Sequence, residues 1–465
     1  MKMKRIASLP FVTGLKHLTG LDRAIAFTVL GRFWSALAGA LTILFIARYL
    51  TPKEQGYYYT FYALVALQIV FELGFSFVIL QLAAHERASL TFSPDGGVQG
   101  DAIAHARLAS VLQKAVRWYF VAGLLMAVVL IPAGYAFFEA HQTAGATVAW
   151  KEPWYLLVIA AMLAFQIDPV FSFLEGCGFI AEVAQRRLTQ AVLGSLLAWT
   201  AMVTHHGLFS PALVILGQVA VGLAFLFSRR HRHLLVGLLL YPVREHFVGW
   251  KSEIWPFQWK IAISWMCGYF IFQIFSPVLF AYQGPAAAGQ MGMSLNIATA
   301  IGSVALAWMN TKASPFGALV SQSRFAELDR LFFRTLTQST ILLVIGAAVF
   351  FFALMAGEHS YPKFADRVLP PWAFSLLLLN TILNHINVSQ ALYLRAHKQE
   401  PFLVPTIISA VLIASFTIFL GKNYGANAVV VGLFLQGVLF AFPFGTYIFV
   451  TKRRLWHDVW HGATA

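Results

Sequence analysis

Tyr49-Leu-Thr-Pro-Lys-Glu-Gln-Gly56 is a short polar turn between two long apolar runs, and its pattern returns as Tyr282-Gln-Gly-Pro-Ala-Ala-Ala-Gly289. The two Tyr-x-x-Pro-x-x-x-Gly copies start 233 residues apart in a chain of 465, which is half its length. Each copy joins the first two apolar runs of its half, as an internal duplication of a helical bundle requires.

Working outward from the turns, the chain is 59% hydrophobic and only 11% charged, with a mean hydropathy of +0.71. Ordinary soluble domains carry about 25% charged residues. Runs long enough to cross a hydrocarbon core of about 30 Å follow one another along the whole length, which makes this an integral membrane protein. Strands of a barrel would show shorter runs of period two, so the spans are read as helices. Twelve are predicted. In the first half they fall near 24–47, 58–80, 117–138, 153–175, 188–204 and 210–228; in the second near 261–282, 288–310, 335–356, 372–394, 402–420 and 426–450. The expected architecture is all-α, with two parallel six-helix lobes at 1–228 and 261–465 and a basic cytosolic linker at 229–260.

The net charge of +14 follows from topology. With both termini in the cytoplasm, 26 Lys and Arg residues fall on the inner side and six (Arg48, Lys53, Lys151, Lys363, Arg367 and Lys422) on the outer, while Arg32 lies within the first span. That bias is the positive-inside rule, so anionic lipid accounts for the charge and no nucleic acid is expected as a partner. The basic start at Lys2, Lys4, Arg5, Lys16 and Arg23 reads as the flank of a retained first span. Cys177 and Cys267 suggest neither a disulfide framework nor a metal site. No phosphate-binding glycine loop or paired metal-ligand motif occurs, and the outer connections are short. Neither an enzyme, nor a cofactor, nor direct use of ATP is expected.

Three cytosolic stretches carry further expectations. The linker has Arg-Arg-His-Arg-His from Arg229, a nine-residue apolar piece from Leu234 to Pro242, and Trp250, Trp255 and Trp259; it is read as lying on the headgroups with aromatic anchors. The insertion from Ala84 to Lys114, with its Ser93-Pro-Asp-Gly-Gly97 turn, is read as a flexible loop. Phe325, Leu328, Leu331 and Phe332 share one helical face opposite Arg324, Glu327 and Arg330, predicting an amphipathic segment that leads into the ninth span.

Ionisable groups inside a bilayer are costly, so each is a candidate for function. Arg32, Glu72 and Asp168 each lie about eight residues, hence about 12 Å, from the cytosolic ends of their spans. Arg32 and Glu72 could form a locked structural pair. Alternatively, Arg32 offers a planar donor fork to phosphate oxygens, while Glu72 or Asp168 titrates. Asp168-Pro169 is expected to break its helix locally. The second half offers neutral groups: Asn296, Ser303 and Asn310 every seven residues, and Asn380, Asn384 and Asn387 on one face. Such amides serve either as glue between helices or as partners for sugar hydroxyls. His385 is expected to face the bundle.

Ala47-Arg48-Tyr49-Leu50-Thr51-Pro52 with Gly56-Tyr57, the twelve-span plan, the Ser321–Arg334 segment and Tyr424-Gly425-Ala426-Asn427-Ala428 together resemble polysaccharide-biosynthesis flippases of the O-antigen (Wzx) type, in the multidrug, oligosaccharidyl-lipid and polysaccharide exporter superfamily. The resemblance implies a bacterial inner-membrane protein. By alternating access it would carry an undecaprenyl-diphosphate-linked glycan to the periplasmic leaflet, for lipopolysaccharide O-antigen or exopolysaccharide. Arg32 would bind diphosphate, the Asn and Ser stripes sugar, and Glu72 or Asp168 a proton or sodium ion. Partners implied are the lipid-linked oligosaccharide, membrane lipids and a glycan polymerase or glycosyltransferases. A multidrug antiporter of the same superfamily and a non-transporting scaffold of a glycan-assembly complex are the competing readings.

Overall fold

A computed structural model describes residues 23–142, 148–243, 247–360, 362–397 and 399–463. Most of the basic start, with Arg244 and Lys398, lies outside them.

The first half runs α1 (Arg23–Tyr49), α2 (Pro52–Val65), α3 (Gln68–Glu72), α4 (Phe75–Arg87), a hairpin of β1 (Leu90–Phe92) and β2 (Val98–Gly100), α5 (Ala102–Ala140), α6 (Lys151–Gly176), α7 (Ile180–Val203), α8 (Ser210–Leu226) and α9 (Arg229–Leu239). After a π-helical turn at Trp250–Ile254 come α10 (Trp255–Phe272), α11 (Phe275–Gln283), α12 (Pro285–Asn310), α13 (Ala313–Ser321), α14 (Phe325–Ser360), α15 (Pro371–Arg395), α16 (Leu403–Asn423), α17 (Ala426–Gln436) and α18 (Phe442–Ala463). Among the described residues, 8 helical stretches are long and apolar enough to cross a membrane, and two bent pairs raise this to 10. The other two predicted spans are α7 and α15, 24 and 25 residues long, whose Arg186 and Arg187, or Asn380, Asn384 and Asn387, lower their hydropathy. The protein is a multi-pass helical membrane protein.

The chain divides into two compact units: residues up to Thr42 with Gly74–Val129 and Tyr155–Trp259, and Ile43–Leu73 with Leu130–Trp154 and Lys260 onward. This division passes through α1, α5 and α6 and, between Trp259 and Lys260, through α10.

In the second unit the repeated turns explain themselves. Both prolines start a helix: Pro52 follows Thr51, whose side chain and backbone form a capping box with Glu54, and Pro285 follows Gly284, at φ 85°. Proline suits a first helical position because its missing N–H has no intrahelical partner there. Four residues later, the glycines bring the two copies together. A Cβ on Gly56 would run into the carbonyl of Pro285, and one on Gly289 would lie 2.9 Å from the backbone nitrogen of Gly56. Small residues at such a crossing let two helix backbones approach where lipid supplies no hydrophobic drive. Beneath the turns lies a buried aromatic cluster, with Tyr57 4.8 Å and Phe138 5.3 Å from Phe280, and Phe138 5.5 Å from Trp154, centroid to centroid. At the other end of α12, Met309, Phe316, Leu328, Phe332, Tyr393 and Phe449 form a second core. Its Leu328 and Phe332 belong to the predicted amphipathic segment, which continues without interruption into α14.

In the first unit two expectations are corrected. The insertion at Ala84–Lys114 is a folded hairpin followed by the first turns of α5, with Leu90 paired to Gly100 and Phe92 to Val98. Turn residues at Ser93–Gly97 set the hairpin, and its tip is held from outside: Gly96 packs on the Arg230 carbonyl, and the His233 ring nitrogen meets the Asp95 carbonyl at 3.0 Å. The linker, in turn, docks on protein. In α9, His231, Leu234, Leu235 and Leu238 are buried. The Gln113 amide donates to the carbonyls of Leu238, Leu239 and Tyr241, satisfying groups that a helix C-terminus leaves open. Trp250 packs between Phe75 and Trp118, at 5.3 and 5.0 Å, so it is no lipid anchor, whereas Trp255 and Trp259 are exposed. Arg107 joins the buried Glu86, at 2.8 Å, to Glu253 of the linker.

Candidate functional site

Polar groups on otherwise apolar helices define the candidate site, and each unit carries its own kind. In the first unit, Arg32 is exposed on α1, and no acidic group among the described residues of its unit pairs with it. Helix α1 is tied to α7 by Trp34, whose indole donates to Ser195 at 3.2 Å, and by Trp199, which donates to Thr42 at 2.9 Å.

Asp168 is exposed on α6 and accepts a hydrogen bond from Arg186 Nη2 of α7 at 2.7 Å. Of the two side chains it is the arginine that is buried, at 6% exposure against 63% for the aspartate. The guanidinium carbon lies 3.3 Å from the centre of the Phe171 ring, a stacked cation–π contact that compensates part of its lost hydration. Antiparallel geometry explains the meeting: Asp168 and Arg186 lie equally far on either side of Cys177, in the turn between the two helices. Sequence reasoning missed Arg186 because it began the fifth span at residue 188. The helix starts at Ile180, so the two arginines read as loop lie on its second turn. Neighbouring Arg187 pairs with Glu175 at 2.6 Å. The expected break at Asp168-Pro169 does not interrupt the helix; α6 runs through Pro169, which removes one backbone donor without ending the segment.

In the second unit, Glu72 is half-buried and ends α3 at a break the sequence did not announce. Leu73 and Gly74 both adopt left-handed backbone, at φ 51° and 67°. A leucine there stores about 1–3 kcal/mol of strain, and broken spans mark sites and switches in transporters. The second half has its break elsewhere, between α10 and α11, bent by 42°.

Asn296, Ser303 and Asn310 are all exposed along α12. The α15 stripe divides. Asn384 is exposed, but Asn380 packs against Gly437 at the start of a π-helical turn, Gly437–Ala441, and the Asn387 oxygen lies 2.7 Å from the Cβ position of Gly445. These two amides fill the contact with the last span, the helix-packing role that the sequence left open. His385 faces the bundle, 3.0 Å from the Ser339 hydroxyl.

No protein-family model and no curated protein matches the chain. Solved structures do. One is an inward-facing multidrug-resistance MATE transporter of the MOP superfamily, at TM-score 0.68 and 14% identity over 93% of this chain and 99% of that one. The chain shares the fold of that structure. A second, the lipid II flippase MurJ in an inward closed conformation, matches at TM-score 0.59 and 13% identity over 92% and 87% of the two chains. A third, a MOP transporter from Pyrococcus furiosus described as having a binding pocket of reverse polarity, matches at 0.51 and 15% over 92% and 95%.

Proposed function

We propose that this MOP-fold transporter is a lipid-linked oligosaccharide flippase, moving an undecaprenyl-diphosphate-linked glycan from the cytosolic to the periplasmic leaflet of the bacterial inner membrane by alternating access of the 1–228 and 261–465 lobes. The observation that carries this reading is the charge balance of the first unit's membrane helices. Among the described residues, the acids of this unit on α4, α6 and α7 each have a basic partner, Glu86 with Arg107, Asp168 with Arg186, Glu175 with Arg187 and Glu182 with Arg230, while Arg32 is exposed and pairs with no acid of its unit. An exporter of cationic drugs needs the opposite balance. A guanidinium fork suits diphosphate oxygens. Exposed Asn296, Ser303, Asn310 and Asn384 suit sugar hydroxyls, which require neutral donors and acceptors. Asn380 and Asn387 hold the last span against α15.

Glu72, at the hinge-like break, binds the coupling proton or sodium ion. Asp168 contributes by exchanging Arg186 for that ion. A glycan polymerase or glycosyltransferases would be natural partners, supplying the lipid-linked glycan or consuming it. The test is complementation: a strain lacking its own flippase and expressing Arg32→Ala should lose surface glycan while the membrane level of the protein stays normal. Full glycan export by that variant contradicts the reading; resistance to cationic drugs without any glycan phenotype in the wild type favours the multidrug alternative.

A further inference from the structure

The second copy of the repeated turn and the Tyr424–Ala428 motif converge on one cavity of about 480 Å³ within the second unit. Nothing in the flippase reading uses it. Its walls come from Gln283 and Gln290 beside the turn, from Asp366 and Val368–Pro371 leading into α15, and from Tyr424–Asn427 at the start of α17. This is the end of the unit that the charge distribution assigns to the outside.

The walls are held in place. Gln290 donates to the Asp366 carbonyl at 3.0 Å, and the Leu369 amide donates to the Ser294 hydroxyl at 2.9 Å. Gln55 of the first turn is 1% exposed, and its amide donates to the Gly289 and Arg367 carbonyls at 2.8 and 2.9 Å. Gln283 donates to the Gly421 carbonyl at 2.9 Å. With their N–H groups committed to backbone, Gln283 and Gln290 have side-chain oxygens to present as acceptors. Asp366 adds an exposed carboxylate and Asn427 a half-buried amide. Donors come from the first turns of α12 and α17, at Ala287, Ala426 and Asn427, and neither helix is capped by a side chain. The Tyr424 ring, 68% exposed, supplies a flat apolar face.

We propose that this cavity binds a neutral carbohydrate. A sugar presents hydroxyls that both donate and accept, on a ring with one apolar face, and the lining matches it group for group. A phosphate would meet the Asp366 carboxylate, and an apolar drug would leave the amides and first-turn N–H groups unsatisfied. A volume of this size lies within the usual range for ligand pockets of about 300–1,000 Å³. That the sugar is the exported glycan, received on the outer side after crossing, rests on the flippase reading; the site itself rests on the cavity.

Saturation-transfer NMR on the full chain in nanodiscs, with cellobiose and N,N′-diacetylchitobiose as probes and inorganic phosphate as competitor, tests it. At least one disaccharide should receive saturation, Asp366→Asn and Asn427→Ala should each weaken binding about tenfold, the loss of one hydrogen bond to a polar ligand, and Ala287→Trp should abolish it by filling the space. Circular dichroism and the melting temperature check that the variants fold. Absence of transfer to both probes, transfer unaffected by Ala287→Trp, or displacement of the sugar by phosphate overturns the site. Flipping of a lipid-linked glycan without disaccharide binding removes the site and leaves the flippase; binding without flipping does the reverse.

Discussion

The two copies of the opening hairpin have the same turn and opposite chemistry. In the first, α1 carries the exposed Arg32 and the following span breaks at Leu73-Gly74, directly after Glu72. In the second, it is the leading span that breaks, between α10 and α11, and α12 continues unbroken with Asn296, Ser303 and Asn310 exposed. What both keep is the proline that starts a helix and the glycine four residues on, because these are the positions at which the copies touch. The two stretches share a contact and differ in their charges and in where their spans break.

The comparison breaks most completely at that contact. Gly56→Leu has no room against the Pro285 carbonyl and should cost about 3 kcal/mol or more, seen as a lowered melting temperature or loss of folded protein in detergent. Gly39→Leu, where nothing lies within 4 Å of a Cβ, serves as the control and should melt close to the wild type. Equal melting of the two variants would mean that the turns do not pack as described.

The chemical half of the comparison is sharpened next. Arg32→Ala should reduce glycan export about 100-fold or more, the loss of a charge-assisted bidentate contact of about 3 kcal/mol. Asn296→Ala removes one neutral hydrogen bond of about 1 kcal/mol and should cost about fivefold. Export rates measured at matched membrane levels decide this, and equal losses would erase the distinction between a charged and a neutral half.

Asp168→Asn comes third. It leaves the buried Arg186 with its Phe171 contact but without its counter-charge, and should destabilise the protein by about 1–3 kcal/mol. The double variant Asp168→Asn, Arg186→Gln should recover part of this. Thermal melting of the two variants tests the coupling, and equal melting would show that the pair contributes no more than its separate members.

The smallest effect concerns the cytosolic clasp. The Arg107 guanidinium, hydrogen-bonded to Glu253, holds that carboxyl below the ordinary glutamate range. A carboxyl depressed in the folded state contributes stability above its unfolded value of about 4.3, and this is lost as pH falls through the lower folded value. Wild-type melting should therefore fall more steeply than that of Glu253→Gln below about pH 4.3. Parallel curves would show that the clasp contributes no such linkage.

How much of this was legible beforehand follows the physics of each signal. The spans and the amphipathic approach to α14 could be read because lipid imposes long apolar runs and a fixed helical period. The breaks could not: Leu73 carries no marker of left-handed backbone, and Gln273 and Ile274 carry none of a bend. Arg186 was hidden because basic residues near a span's end read as loop, whereas an aromatic ring and a carboxylate can hold an arginine within the first turns of a membrane helix. The hairpin at 90–100 reads as a flexible loop in the sequence because its strands are only three residues long. The buried face of α9 was overlooked because its arginines dominated the reading. For the asparagine stripe, the helical period places the residues on one face but not what lies opposite; beside Asn380 and Asn387 stand Gly437 and Gly445.

The central claim is that a MOP-fold chain with an unmatched arginine in its charged half moves a diphosphate-linked glycan. Proteoliposomes carrying a fluorescent undecaprenyl-diphosphate disaccharide, with a membrane-impermeant quencher or glycosidase outside, measure this directly. The account predicts that wild-type protein exposes the label across the bilayer and that Arg32→Ala, incorporated at the same density, does not. Equal rates for wild type, Arg32→Ala and protein-free liposomes would contradict it.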